Sequence, residues 1–255
     1  MGIVSTKLER RKAMRRAARR ILVVLGLGVL VVSSLYMYDY ATTSTRFAIH
    51  RVEFSGLARI NESAVNRVLS DLPGQNILLA PLDTYEARIE SFPRVAHASL
   101  RRVFPDRIVV AIEERTPVAL VWAGRLLEVD ASGMVMPDDA YTPLLKLPVI
   151  RGVASGEVRP GEVSDSPGLL RALRALGACK RYGGRFVDDI AELQVDRAGI
   201  QIRSLARNVV IILGERDYGE QIRKYFSMSK NIAVTGKTHF IDLRFDDQIV
   251  LRGGV

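Results

Sequence analysis

A single cysteine, Cys179, is present among the 255 residues of this chain. One cysteine cannot form an internal disulfide, whatever the redox state of its compartment. Small secreted domains held together by disulfide bonds are therefore excluded. A chain of this length can hold one large domain or two small ones beside a membrane segment. We expect its folded part to be stabilised by the hydrophobic core alone.

Motifs typical of catalysis or of metal binding are also lacking. The three histidines, His50, His97 and His239, are scattered, and none has another ligand type at the spacing of a metal site. The TGKT segment at 235–238 resembles the end of a phosphate-binding loop, but Asn231 stands where that motif requires glycine. No G-x-S-x-G nucleophile elbow is present. The sequence therefore predicts a protein that is not an enzyme, with no metal, cofactor or small-molecule substrate.

Acidic residues are nearly absent from the first twenty residues, which contain Glu9 and eight basic side chains. The other 235 residues hold 29 basic and 27 acidic side chains and are close to neutral. A nucleic-acid-binding domain carries its basic surface on the folded part of the chain, so the net charge of +9 does not indicate nucleic acid. Four arginines nearest the following apolar run are predicted to set membrane topology or to contact lipids. They are Arg15, Arg16, Arg19 and Arg20.

A long apolar run follows this basic tail of residues 1–20. Residues 21–38 carry no charge, and a helix of that length covers about 27 Å, close to the ~30 Å hydrocarbon core of a bilayer. Tyr36, Tyr38 and Tyr40 stand at its far end, where amphipathic rings prefer the headgroup layer. The positive-inside rule keeps the basic tail in the cytoplasm. The sequence thus predicts a single-pass transmembrane helix over 21–38, with the bulk of the chain outside.

A cleaved signal peptide is the alternative interpretation of this N-terminus. Its apolar core is ~7–15 residues long and leads to a small-residue cleavage site. The run in this chain is longer, and the large residues Tyr-Met-Tyr-Asp-Tyr at 36–40 do not resemble the small residues of a cleavage site. We therefore expect the helix to be retained.

The outer part begins with a short polar linker, predicted over 39–46, and a first module over 47–115. Strand-like alternation ends at Gly56, and two amphipathic helices follow, the second ending at Pro93. Two further strands surround a turn at Pro105-Asp106. The predicted order is β-α-α-β-β, with small helices on a three-stranded sheet.

A second, strand-rich domain is predicted over 116–253. Short strands punctuated by Gly and Pro come first, and a leucine-rich helix precedes Gly177. A hairpin turning at Ala198-Gly199, a buried strand, another helix and a final hairpin complete it. The whole chain is predicted to be of the α+β class: one N-terminal transmembrane helix, the β-α-α-β-β module, and a β-rich domain with two or more helices.

The segment FIDLRF at 240–245 alternates like a half-buried strand. Ile241 and Leu243 are predicted to face the core, whereas Asp242 and Arg244 occupy the opposite face. A strand this close to the end of a chain is a candidate for the edge of its sheet, with one side unpaired. The sequence therefore predicts an edge strand with one side of its backbone unpaired. The alternative is that FIDLRF is an interior strand and Arg244 a solvated side chain.

The order of these parts, together with one long motif, resembles the FtsQ/DivIB family of bacterial cell-division proteins. The motif is FPRVAHASLRRVFPDRIVVAIEERTPVALVW at 92–122, followed by LEVDASGMV at 127–135 and LPVIRG at 147–152. DLRF at 242–245 resembles the closing strand of the family. The similarity covers roughly residues 8–252.

The resemblance implies a polypeptide-transport-associated (POTRA) domain over 47–115 and a non-catalytic role in the divisome. It implies localisation to the cell inner membrane at the division septum, with the bulk of the chain periplasmic. The partners it implies are FtsB, FtsL and other divisome proteins, and FtsB is expected to add a strand to the exposed edge of the last strand. The partner-binding residues expected on this basis are Asp242, Arg244, Phe245, Asp246, Ile249 and Leu251.

Two other functions fit parts of the sequence. POTRA modules also occur in outer-membrane assembly and secretion proteins, but the residues after Thr116 contain too few ~10-residue alternating strands for a membrane barrel. A membrane-tethered periplasmic enzyme would need a cluster of catalytic residues assembled from distant positions. The sequence gives no sign of one.

Overall fold

The structure is a computed structural model that describes residues 3–137, 146–204, 209–215, 217–228, 239–245 and 248–253. The chain divides into two compact units. The first comprises Met1–Ser55, Glu62–Ala87 and Ser99–Ala111, and the second comprises Gly56–Asn61, Arg88–Ala98 and Ile112–Val255. The predicted α+β class is confirmed.

The first unit begins with one long helix, α1, which spans Ile3–Thr43. Its residues Met14–Thr43 are long and apolar enough to cross a membrane, and the apolar stretch is not buried inside the protein. The structure differs from the sequence prediction at the linker, since residues 39–43 are helical. The hydroxyl groups of Thr42 and Thr43 donate to the carbonyl oxygen of Asp39, at 3.2 and 2.7 Å, so these β-branched residues remain compatible with the helix.

The β-α-α-β-β order is confirmed. The elements are β1 (Arg51–Ser55), α2 (Glu62–Val68), α3 (Leu82–Glu90), β2 (Val95–Val103) and β3 (Arg107–Glu114). The sheet has the order β1-β3-β2, with β1 parallel to β3. Buried side chains in the first unit include Ile49, Val65, Leu69, Leu72, Ile77, Tyr85, Ile108 and Val110.

The second unit contains an eight-stranded mixed sheet and two long helices. Its strands are β4 (Ala119–Trp122), β5 (Leu126–Val129), β6 (Val149–Arg151), β7 (Ile190–Asp196), β8 (Gly199–Ser204), β9 (Val209–Leu213), β10 (His239–Asp242) and β11 (Val250–Gly253). The helices are α4 (Pro167–Tyr182) and α5 (Tyr218–Met228). The sheet order is β11-β10-β9-β8-β7-β6-β4-β5.

Local sequence explains where helix α4 begins and where the β7–β8 hairpin turns. Ser166 caps α4 by accepting a hydrogen bond from the amide of Leu169, and Pro167 occupies the first turn. The β7–β8 hairpin turns at the predicted position. Gly199 there has a φ of +142°, and a side chain would collide with the carbonyl oxygen of Leu213 on the neighbouring strand.

The predicted position of the sheet edge is wrong for the strand that carries FIDLRF. β10 pairs in parallel with β9 and antiparallel with β11, so it is an interior strand. The chain continues past 245 and returns as β11, which takes the outer position. The edge therefore belongs to Val250–Gly253.

Candidate functional site

The two ends of the eight-stranded sheet differ in how they are covered. At one end, β5 is flanked by the segment that follows it, because Val129 bridges Val135 and the amide of Met136 donates to the carbonyl oxygen of Glu128 at 2.8 Å. At the other end, no strand among the described residues pairs with the outer side of β11. The polar backbone groups on that side are available to an added strand.

The register of the terminal hairpin places apolar surface beside this edge. Leu251 lies opposite Ile241, which is fully buried, yet Leu251 is 51% exposed because it stands on the edge strand. Phe240 lies opposite Arg252 on the other face and is 37% exposed. The β11 edge therefore offers open backbone together with apolar side chains on both faces of the hairpin.

Asp242 and Arg244 form a bidentate ion pair just after β10. Arg244 Nη2 lies 2.7 Å from Asp242 Oδ2, and Arg244 Nε donates to Oδ1 at 2.9 Å. Asp242 is almost fully buried, and the hydrogen bonds from Arg244 lower its pKa below the ordinary value. About a third of the Arg244 side chain is exposed. The free chain therefore holds this guanidinium in a fixed position while leaving some of its donors facing solvent.

Leu243 and Phe245, at the end of the alternating segment, differ in how far they are exposed. Leu243 is buried, as the alternation predicts, whereas Phe245 is 43% exposed. Lys224 of α5 donates to the carbonyl oxygens of Phe245 and Gln248, at 2.9 and 3.2 Å. The lysine therefore holds the backbone at Phe245 and Gln248 against the helix. Sequence reasoning missed it, because no local pattern relates a helical lysine to carbonyls more than twenty residues away.

The remaining predicted contact residues lie on the same hairpin or beyond the described part of the chain. Ile249 is half-buried and packs against the hydrophobic core. Asp246 lies outside the described residues. The structure thus brings Asp242, Arg244 and Phe245 to the end of β10, and places Ile249 and Leu251 beside or on the edge strand.

The predicted membrane residues all lie on α1. Arg15, Arg16, Arg19 and Arg20 are exposed, as are Tyr36, Tyr38 and Tyr40. The ring of Tyr40 meets that of Phe47 edge-on, with 6.4 Å between the ring centroids. This position is consistent with a boundary between the membrane helix and the first module.

Two family models match the chain. A POTRA domain of FtsQ type matches residues 47–115, and the C-terminal domain of cell division protein FtsQ/DivIB matches residues 120–244. The chain belongs to the FtsQ/DivIB family. In the described part of the chain, one helix is long and apolar enough to span a membrane, and together with the family membership this indicates a single-pass membrane protein of cell division.

Curated relatives named "Cell division protein FtsQ" match over most of their length. The chain is 28% identical to the protein of Syntrophotalea carbinolica, with 89% of this chain and 81% of the relative covered. It is 29% identical to that of Myxococcus fulvus, over 89% and 81%. For the protein of an Anaeromyxobacter species the identity is 28%, over 96% and 85%.

The conspicuous charged residues of the FtsQ-like motif have structural roles within the second unit. Glu114 accepts hydrogen bonds from the amides of Ala58, Arg59 and Ile60, at 2.7–3.0 Å. Arg115 pairs with Asp130 at 2.8 Å. These residues fix loops and do not line the β11 edge.

A buried ion pair supports the same region. Arg94 Nη1 lies 2.9 Å from Glu128 Oε2, and both side chains are almost fully buried. Arg94 also donates to the carbonyl oxygen of Pro137, and Arg59 approaches Glu128 at 3.3 Å. The carboxylate of Glu128 is thus shared by two guanidinium groups next to the segment that covers β5.

The described residues contain no group of three or more His, Cys, Asp or Glu side chains placed to hold a metal ion. Cys179 is fully buried in α4, and burial raises the pKa of its thiol to about 12. A thiol with that pKa is protonated at neutral pH and is a poor nucleophile.

Proposed function

We propose that this chain is a non-catalytic scaffold of the divisome that binds FtsB, together with FtsL, on the periplasmic side of the membrane. In this role it links early and late division proteins to septal peptidoglycan synthesis. The partner adds a strand to the outer side of β11. The observation that carries the proposal is the asymmetry of the eight-stranded sheet, whose β5 end is covered while its β11 end has no partner strand among the described residues.

Backbone hydrogen bonds to an open edge supply affinity for any extended segment, so side chains must supply selectivity. Leu251 and Phe245 provide apolar contact area beside the edge. Arg244 pairs with an acidic residue of the partner, using donors that its ion pair with Asp242 leaves free. Because Asp242 already fixes the guanidinium, little side-chain entropy is lost when the partner binds.

The orientation of the chain follows from its charge. Arg15, Arg16, Arg19 and Arg20 hold the N-terminus in the cytoplasm, and the chain after α1 then lies in the periplasm. Family membership supports a position at the division septum. The function needs no bond-making step, and the protonated, buried Cys179 gives no support to thiol chemistry.

A binding titration of the full chain in nanodiscs against purified FtsB–FtsL complex tests the proposed interface. Phe245→Lys and Leu251→Lys each place a charge at the edge, where desolvating it opposes the added strand. We expect each variant to raise the dissociation constant at least about tenfold, a loss of roughly 1.4 kcal/mol. The melting temperature should change little, because both side chains are already exposed.

Val163→Lys provides the matched control, since Val163 is a comparably exposed apolar residue of the second unit outside the terminal hairpin. Its dissociation constant should equal that of the unmodified chain. Unchanged binding by both edge variants would contradict the proposal.

A further inference from the structure

The β-α-α-β-β module exposes large apolar side chains at three positions. Leu78, Leu79 and Phe104 are 41%, 58% and 57% exposed, respectively, and every other large apolar side chain within residues 47–115 is better covered. Scattered exposed apolar residues are ordinary on a protein surface, but a cluster indicates a contact. Whether these three residues form a cluster depends on the contacts of the two segments that carry them.

The segment with Leu78 and Leu79 is attached to the end of α1. The Asn76 side-chain amide donates to the carbonyl oxygens of Ala41 and Thr42, at 2.8 and 2.9 Å. These carbonyls belong to the last turn of the helix, where they have no intrahelical partner. The amide of Leu78 in turn donates to Asn76 Oδ1 at 2.9 Å. The two leucines therefore lie within a few residues of the helix end.

The turn with Phe104 is attached to the same place. Arg102 donates to the carbonyl oxygens of Ile77 and Ala80, at 2.6 and 2.7 Å, on either side of the two leucines. The amide of His50 donates to the carbonyl oxygen of Asp106 at 2.9 Å, which holds the far side of the turn against the chain that leaves α1. All three exposed apolar side chains thus belong to segments gathered at the α1 end of the module.

Basic side chains accompany this apolar cluster. Arg46 is exposed, and Arg102 uses its guanidinium on carbonyl groups, which leaves its charge uncompensated by those contacts. The acidic residue of the turn, Asp106, is paired with Arg51 at 3.0 Å. Arg46 and Arg102 therefore place positive charge near the apolar side chains, against the exposed carboxylate of Asp39 on α1. Apolar side chains with neighbouring basic residues are typical of proteins that bind at the surface of anionic membranes.

The height of the cluster relative to the bilayer can be estimated from α1. Tyr38 ends the apolar run, and the carbonyls held by Asn76 lie three and four residues further on, a rise of about 5–6 Å. The headgroup layer on each side of the hydrocarbon core is about 5–7 Å thick. Asn76 therefore lies at the level of the headgroups, and the neighbouring leucines are within reach of them.

We propose that Leu78, Leu79 and Phe104, with Arg46, form a membrane-docking patch. The patch rests in the headgroup layer of the same bilayer that α1 crosses and prefers anionic phospholipid. Lipid is the occupant that the geometry favours, because the patch is tied to the very turn at which α1 leaves the membrane. The module is then held against the bilayer by two attachments, one covalent and one interfacial.

Lipid quenching of a site-specific fluorophore tests this proposal in the full chain. Cys179 is buried and protonated, so a bimane maleimide labels an introduced cysteine selectively. We expect Leu79→Cys in nanodiscs to be quenched by brominated phosphatidylcholine several times more strongly than Ser55→Cys. Ser55 is the control because it is exposed at the far end of β1, about 13 Å along the strand from Arg51.

Equal quenching at both positions, or none at Leu79→Cys, would overturn the proposal. A probe at Leu79→Cys that is shielded from aqueous iodide but not quenched by lipid would assign the patch to a protein contact and would equally refute it. For the charge preference, adding phosphatidylglycerol to the nanodisc should increase quenching, and Arg46→Gln should reduce that increase. Quenching that does not respond to either change would refute the anionic preference.

Discussion

At the scale of single residues, the ion pair between Asp242 and Arg244 is the feature that alternation along the strand could not reveal. Alternation predicts the buried positions of Ile241 and Leu243, but it does not show that Asp242 and Arg244, two positions apart on the same face, bind each other. The pair fixes a charged side chain beside the proposed partner site. Its effect on stability therefore depends on the protonation state of one carboxyl group.

The substitution Asp242→Asn should lower the free energy of unfolding by about 1 kcal/mol at neutral pH. This value lies below the ~1.5–3 kcal/mol of hydrogen bonds to a charged group, because the Arg244 head is partly exposed to solvent. The pKa of Asp242 is lowered in the folded chain from its ordinary value of 3.8, so the stabilisation is complete above that value and is lost as the pH falls further. Denaturant unfolding between pH 7 and pH 2 measures the difference, which should shrink as the pH falls below 3.8.

Arg244→Gln is the control for this experiment, because it removes the other half of the same pair. The double variant should lose no more stability than either single one. Additive losses would mean that the ion pair is not the source of the effect.

At the scale of elements, the sequence predicts the strands and helices well and the sheet edge poorly. Periodicity and turn residues depend on neighbouring positions, which is why the β7–β8 hairpin and α4 appear where they are predicted. The position of β10 depends on its parallel pairing with β9 across the intervening α5, and no local pattern encodes that pairing. The hydrogen bond from Lys224 to the carbonyl oxygen of Phe245 is missed for the same reason.

A buried ion pair beside the covered edge gives a prediction at this scale. Glu128→Ala removes the carboxylate from buried Arg94 and from Arg59, and breaking a buried ion pair by removing one partner costs about 3–5 kcal/mol. We expect a loss of that size in the free energy of unfolding of the second unit, measured by denaturant titration.

Glu162→Ala is the comparison, since Glu162 forms an ion pair with Arg159 at 3.9 Å in which both side chains are largely exposed. Its loss should be below about 1 kcal/mol. Similar losses for the two variants would show that the burial of the Arg94–Glu128 pair has no energetic consequence.

At the scale of the whole molecule, composition alone predicts most of the organisation. The basic tail, the apolar run and the neutral remainder predict one membrane helix followed by folded modules, and the family models bear out the identity of those modules. Composition does not reveal that the helix continues to Thr43, because the polar residues after Tyr38 are equally common in linkers. Their hydroxyl groups bond back to the helix instead.

Orientation in the membrane can be tested by removing positive charge near the helix. Serine substitutions at Arg15, Arg16, Arg19 and Arg20 should increase several-fold the fraction of chains whose folded part remains in the cytoplasm. Protease accessibility of the folded part in spheroplasts measures that fraction. Serine substitutions of the same number of exposed basic residues far from the helix should have no such effect, and a suitable set is Arg67, Arg174, Lys180 and Arg203.

The hydrogen bonds between α1 and the first module determine how the module is oriented about the helix axis. A flexible tether would let the module face any direction, whereas a helix capped by Asn76 turns the module with it. One residue inserted within the helix would swing the module by about 100° in the plane of the membrane and lift it by only ~1.5 Å. The number of residues in the helix therefore sets the direction that the module faces in the plane of the membrane.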